Sequence, residues 1–131
     1  MRQTETKTLL VDARGQVYTA LAEMETEQPY SLHRSFPRGT ETGSVVTWGE
    51  YSNVSTDCPV VDELVFQIDL WTMDRKGQQE LSQAVNQAMT GLGLKRVFAG
   101  PDRYEDTGPG YYRKTFRFGR KVDKRTMRLI D

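Results

Sequence analysis

Residues 63–71 alternate with a period of two. Leu64, Phe66, Ile68 and Leu70 point one way, and Val65, Gln67, Asp69 and Trp71 point the other. This pattern marks a strand with one face on a core, the first set facing inward. Just beyond it the period changes. From Lys76 to about Leu92, Leu81, Ala84, Val85, Ala88, Met89 and Leu92 recur at helical spacing. Gln78, Gln79, Ser82, Gln83, Asn86 and Gln87 take the wet side. Asp74 is placed to cap this helix, and Gly91 and Gly93 to end it. A half-buried strand followed by an amphipathic helix leaves two apolar surfaces to bury together, so a helix-on-sheet domain is expected.

The remaining elements follow from period and punctuation. Residues 8–24 set Leu10, Ala13, Val17, Ala20, Leu21 and Met24 on one side of a first helix, stopped by Gln28-Pro29. Gly15 weakens that helix by roughly 1 kcal/mol relative to Ala. Residues 30–36 read as a short strand closed by Pro37, residues 38–43 as a polar turn, and residues 44–51 as the next strand. A strand at 94–99 and a loop rich in Gly, Pro and Asp at 100–110 precede a last strand from Tyr111 to about Arg120. In that strand Tyr112, Phe116 and Phe118 alternate against Arg113, Thr115 and Arg117. Residues 121–131 read as a basic tail or a short terminal helix. The expected fold is α+β in the order α-β-β-β-α-β-β. It is a single antiparallel sheet with two helices packed on one face. The 131 residues suit one domain, with a core at about 8–120.

Composition narrows the function. Eighteen Lys and Arg balance eighteen Asp and Glu, so the net charge is zero, unlike a dedicated nucleic-acid binder. The charges are unevenly placed. Arg113, Lys114, Arg117, Arg120, Lys121, Lys124, Arg125 and Arg128 face a single acid, Asp123, whereas Glu23, Glu25, Glu27, Asp57, Asp62 and Glu63 lie elsewhere. That asymmetry suits a charged partner or head-to-tail contact between copies. One cysteine, Cys58, allows no internal disulfide and fits a reducing compartment. No apolar run reaches the roughly 18 residues of a membrane span, so no membrane partner is expected.

Catalysis is not expected. His33 is the only histidine and adjoins Arg34 in an edge strand. Cys58 precedes Pro59 in a connecting loop and has no basic sequence neighbour to lower its pKa. One His and one Cys fall short of a usual zinc site, and no cofactor is expected. Asp57, Asp62, Asp69 and Asp74 read mostly as turn or cap residues. The loop at 100–110 lacks the Gly-Lys-Ser/Thr of a phosphate loop and the acid spacing of a calcium loop. The aromatic-basic strand Tyr111-Tyr112-Arg113-Lys114-Thr115-Phe116-Arg117-Phe118 has the composition of a single-strand platform. Alternation nevertheless sends its aromatics inward. A small nucleic-acid-binding or regulatory module using this strand and the tail is the alternative functional reading.

Four phrases, taken with the order of elements, carry a resemblance. They are residues 30–37, Val46-Thr47-Trp48-Gly49-Glu50-Tyr51-Ser52-Asn53, Val65-Phe66-Gln67-Ile68-Asp69-Leu70-Trp71 before the Gln-rich helix, and Asp106-Thr107-Gly108-Pro109-Gly110-Tyr111-Tyr112-Arg113-Lys114. Over residues 17–120 the chain resembles the tail completion proteins of long-tailed bacteriophages, also called tail-to-head joining or tail terminator proteins. The resemblance implies a virion structural protein without catalytic residues, assembled in the host cytoplasm and located at the head–tail interface. It implies a ring of copies, usually a hexamer, that caps the tail tube and docks it to the head completion or connector protein. Phage DNA would pass through the ring without specific binding. Candidate assembly contacts lie at 52–61, 100–110 and the tail: Asn53, Asp57, Asp102, Arg103, Tyr104, Glu105, Asp106, Lys121, Lys124, Arg125 and Arg128.

Overall fold

A computed structural model describes residues 13–26, 29–35, 43–101, 103–105, 111–123, 125 and 128–129 of the chain. Its elements are α1 (Arg14–Ala22), β1 (Tyr30–His33), β2 (Ser44–Ser55), β3 (Val61–Thr72), α2 (Arg75–Gly91), β4 (Lys95–Ala99), β5 (Arg103–Glu105), β6 (Tyr111–Asp123) and β7 (Arg128–Leu129). They form one sheet whose continuous path is β1-β2-β3-β6-β4, with β5 and β7 also paired to β6.

The alternating strand is the middle of the sheet. β3 pairs antiparallel with β2 on one side and β6 on the other, so Ile68 lies between Trp48 and Phe116. Leu64, Phe66, Ile68 and Leu70 are fully buried. They share one core cluster with Phe116, Phe118 and Val122 of β6, Val17 and Leu21 of α1, and Leu81, Val85 and Met89 of α2. One parity of β3 and β6 thus meets residues of both helices. The other parity, with Gln67, Asp69 and Trp71 of β3 and Arg113, Thr115 and Arg117 of β6, forms the far face.

α2 is fixed at both ends. The Asp74 carboxylate accepts from the Gly77 amide at 2.5 Å, a side-chain N-cap. At the C-terminus the Gly93 amide donates to the Thr90 carbonyl and the Leu94 amide to the Met89 carbonyl. That pair of bonds is a Schellman turn, and Gly93 takes its left-handed position with φ +84°. Arg120 of β6 donates to the Leu92 carbonyl at 3.1 Å, setting a cation against the negative end of the helix. The space a Gly93 side chain would fill is taken: a Cβ there would stand 1.6 Å from Arg120 Nη1.

Several expectations are corrected. The sheet is mixed, because β1 runs parallel to β2. Ten residues separate His33 from Ser44, and such a length can span about 33 Å, enough to return the chain to the starting end of a four-residue strand. The first helix begins at Arg14, and Leu10 lies outside the described residues. β2 continues to Ser55, so 52–55 is strand rather than loop, with a bulge at Tyr51. Part of the 100–110 segment is strand: β5 pairs with Tyr111–Arg113. The supposed tail begins as strand, since inward alternation continues past Phe118 to Val122, which is fully buried. β7 then pairs with Val122 and Asp123. Gln78 is buried, not wet. It enters the first turn of α2 beside the Thr72 hydroxyl, which lies 3.0 Å from its Oε1.

Candidate functional site

β3 occupies one edge of β6 along its length, so β5, β4 and β7 share the other in series. This arrangement separates the sequence-nominated contact residues into two groups. Arg103, Tyr104 and Glu105 form β5, opposite Tyr111–Arg113 at the start of β6. The second group gathers at the other end. Asn53 sits in β2 opposite Leu64, Asp57 is exposed in the β2–β3 turn, and Lys121 is in register with Glu63. Arg125 and Arg128 follow the end of β6, with Arg128 paired to Asp123 through the backbone. Seven residues of β6, 114–120, divide the groups, which stand about 26 Å apart along the strand. Asp102, Asp106 and Lys124 lie outside the described residues.

Local hydrogen bonds build the second end. The Thr56 hydroxyl lies 2.8 Å from the Val61 carbonyl and accepts from the Cys58 amide at 3.2 Å, which closes the β2–β3 turn. The Asp123 carboxylate accepts from Arg125 Nε at 3.1 Å and Nη2 at 2.9 Å. That bond is the main cause holding the Arg125 guanidinium above its ordinary value, and Cys58 adds a small attraction. The exposed cysteine and His33 are far apart: His33 is in register with Thr47, and the turn lies beyond Ser55, about 25 Å along β2. These two residues form no nucleophile–base pair. His33 Nε2 is buried and has no hydrogen-bond partner among the described residues. No cluster of three or more His, Cys, Asp or Glu that could hold a metal occurs among the described residues. No helix among them is long and apolar enough to cross a membrane.

The far face holds a polar and aromatic network that the sequence did not reveal. Asp69, on the outward parity of β3, is nearly buried. Its carboxylate accepts from Gln67 Nε2 at 3.1 Å, Arg113 Nε at 3.3 Å and the Thr115 hydroxyl. Arg113 also lies over the Trp71 ring at 4.5 Å, and Trp71 Nε1 donates to Thr47 Oγ1 at 3.1 Å. Trp71 meets buried Tyr111 edge-on. Next along β6, Arg117 Nε donates to Gln67 Oε1 at 3.0 Å. Its guanidinium lies 4.0 Å from the Tyr51 ring centre and 4.8 Å from that of Phe98. Parity alone placed Gln67, Asp69, Arg113, Thr115 and Arg117 on outward positions. Their partnership depends on the β3–β6 register, which no local pattern states.

The opposite surface carries a groove between α1 and α2, of about 380 Å³, floored by Ala20, Ala84 and Ala88 and rimmed by Glu23 and Glu25. Comparison of the chain with protein-family models and with curated proteins finds no match.

Proposed function

We propose that this chain is a structural protein of a long-tailed phage, one copy of a ring that caps the tail tube and joins it to the connector under the head. The observation that carries the reading is that the candidate contact segments fall at opposite ends of one continuous sheet. Arg103–Glu105 stands at one end and Asn53, Asp57, Lys121 and Arg125 at the other. A ring member must touch a partner above and a partner below, and a stiff sheet that holds its two ends about 26 Å apart suits that task. The resemblance to tail completion proteins supports the same reading. Phrases that carry it fall on β2, β3 and β6, the three longest strands.

The test is removal of the protein from an infection. DNA-filled heads and separate tails should accumulate, with tails of irregular length. Normal infectious particles assembled without it would refute the assignment.

A further inference from the structure

The sheet has two register shifts between paired strands. One makes Tyr51 an extra residue between Glu50 and Ser52 of β2, and the other makes Val97 an extra residue between Arg96 and Phe98 of β4. Bulges re-aim side chains. Here both serve one arginine. Without the shift in β4, Phe98 would stand opposite Phe116 on the core face; with it, Phe98 stands opposite Arg117. Tyr51 and Phe98 then flank the Arg117 guanidinium, yet remain 55% and 41% exposed. Arg117 Nε is used by Gln67, and its terminal amino groups donate to no described residue. A guanidinium held between two rings, with its outer fork open, is preorganised for a carboxylate and has the composition of an interface anchor.

The same molecule offers a carboxylate surface. Glu23 and Glu25 are exposed beside the α1–α2 groove, and neither carboxylate has an ion-pair or hydrogen-bond partner among the described residues. They stand at and just beyond the C-terminus of α1, whose last turn holds no basic residue. The helix dipole and both acids are therefore of one sign and lack a local counter-charge. Three alanines, Ala20, Ala84 and Ala88, line the groove beside these carboxylates.

We propose that the helix face of one copy, at Glu23 and Glu25, docks on the Arg117–Tyr51–Phe98 clamp of a second copy. This inference rests on the ring reading above and names its lateral contact. The two surfaces differ and lie on opposite layers of the domain, so each copy is left with one of each and the contact propagates head to tail, as a ring requires.

The test uses the full chain and two charge reversals, Glu23→Lys with Glu25→Lys on exposed positions, and Arg117→Glu on a half-buried one. Sedimentation velocity is run at low salt and about 1 mM, where even a weak contact is populated. Wild type should associate. Each variant alone should weaken association by about tenfold or more, and mixing the two should restore it, because every contact between unlike variants pairs opposite charges. Arg117→Gln should weaken association without repulsion, and serves if Arg117→Glu does not fold. Association unaffected by either reversal would overturn the proposed surfaces and leave the ring reading standing. No association of wild type at this concentration would overturn both. Loss on reversal without recovery on mixing would refute the pairing. If Arg117→Glu abolished binding to a short DNA duplex while self-association was unchanged, the clamp would be a phosphate site instead.

Discussion

Replacing Gly93 by Ala tests the junction that orients α2 on the sheet. Two costs add. A left-handed backbone at φ +84° disfavours any L side chain by about 1–2 kcal/mol. The new Cβ also stands 1.6 Å from Arg120 Nη1, so the guanidinium must leave the Leu92 carbonyl it now bonds at 3.1 Å. Losing a hydrogen bond to a charged group in a half-buried position costs about 1–2 kcal/mol more. Gly93→Ala should therefore destabilise the fold by about 2–4 kcal/mol. With an m-value of about 1.5 kcal/mol/M, the urea midpoint should fall by about 1–3 M, read by tryptophan fluorescence of Trp48 and Trp71. In an Arg120→Ala background only the backbone cost remains, so the same substitution should cost about 1–2 kcal/mol less there. Equal costs in both backgrounds would show that Arg120 and Gly93 do not compete for one space. A negligible cost in wild type would refute the Schellman assignment.

Other expectations concern the core, the far face and ionisation. Leu81→Ala and Phe66→Ala should each cost about 2–5 kcal/mol, since both side chains are fully buried in the shared cluster; an unchanged midpoint would refute that packing. Asp69→Ala should cost about 1–3 kcal/mol in chemical denaturation by stranding Arg113, Thr115 and Gln67, and a neutral effect would show that the network adds nothing to stability. Burial lifts the Tyr30 phenol above its ordinary value of 10.0, against an opposing backbone contact at Met24. The neutral form is thus favoured in the fold: the stabilisation is complete below pH 10 and is lost as pH rises through the folded-state value. Tyr30→Phe should flatten the alkaline fall in stability measured by denaturation, and an unaltered pH profile would contradict this. Self-association should weaken between low and high salt, as expected for polar contacts, and a salt-insensitive assembly at nanomolar concentration would argue for an apolar interface instead.

The parts of the fold legible in the sequence are those with a long, unbroken period. Leu64 through Leu70 announced β3, and Leu81, Val85 and Met89 announced the buried stripe of α2, because solvent on one side imposes the repeat locally. Asp74 and Gly93 were legible because capping and left-handed backbone have few chemical solutions. The direction of β1 was not, since it depends on where a ten-residue connection returns the chain. β5 and β7 are only three and two residues long and exist through pairing with β6. The candidate contacts were legible as residue types in polar segments. Their division between two ends of the sheet was not, because residues 121–123 looked like tail until the buried Val122 extended β6. The Arg117 clamp was hidden for a further reason: bulges at Tyr51 and Val97 break the alternation by which a reader counts faces.

The proposed ring is tested most directly by a cryo-electron microscopy reconstruction of the neck of long-tailed phage particles assembled with this chain. The expected result is a closed ring of copies between tail tube and connector. In it, the end holding Arg103–Glu105 and the end holding Asp57 and Arg125 should face different neighbours along the particle axis. Absence of this fold from the neck of intact particles, or its presence as isolated copies away from the tail axis, would contradict it.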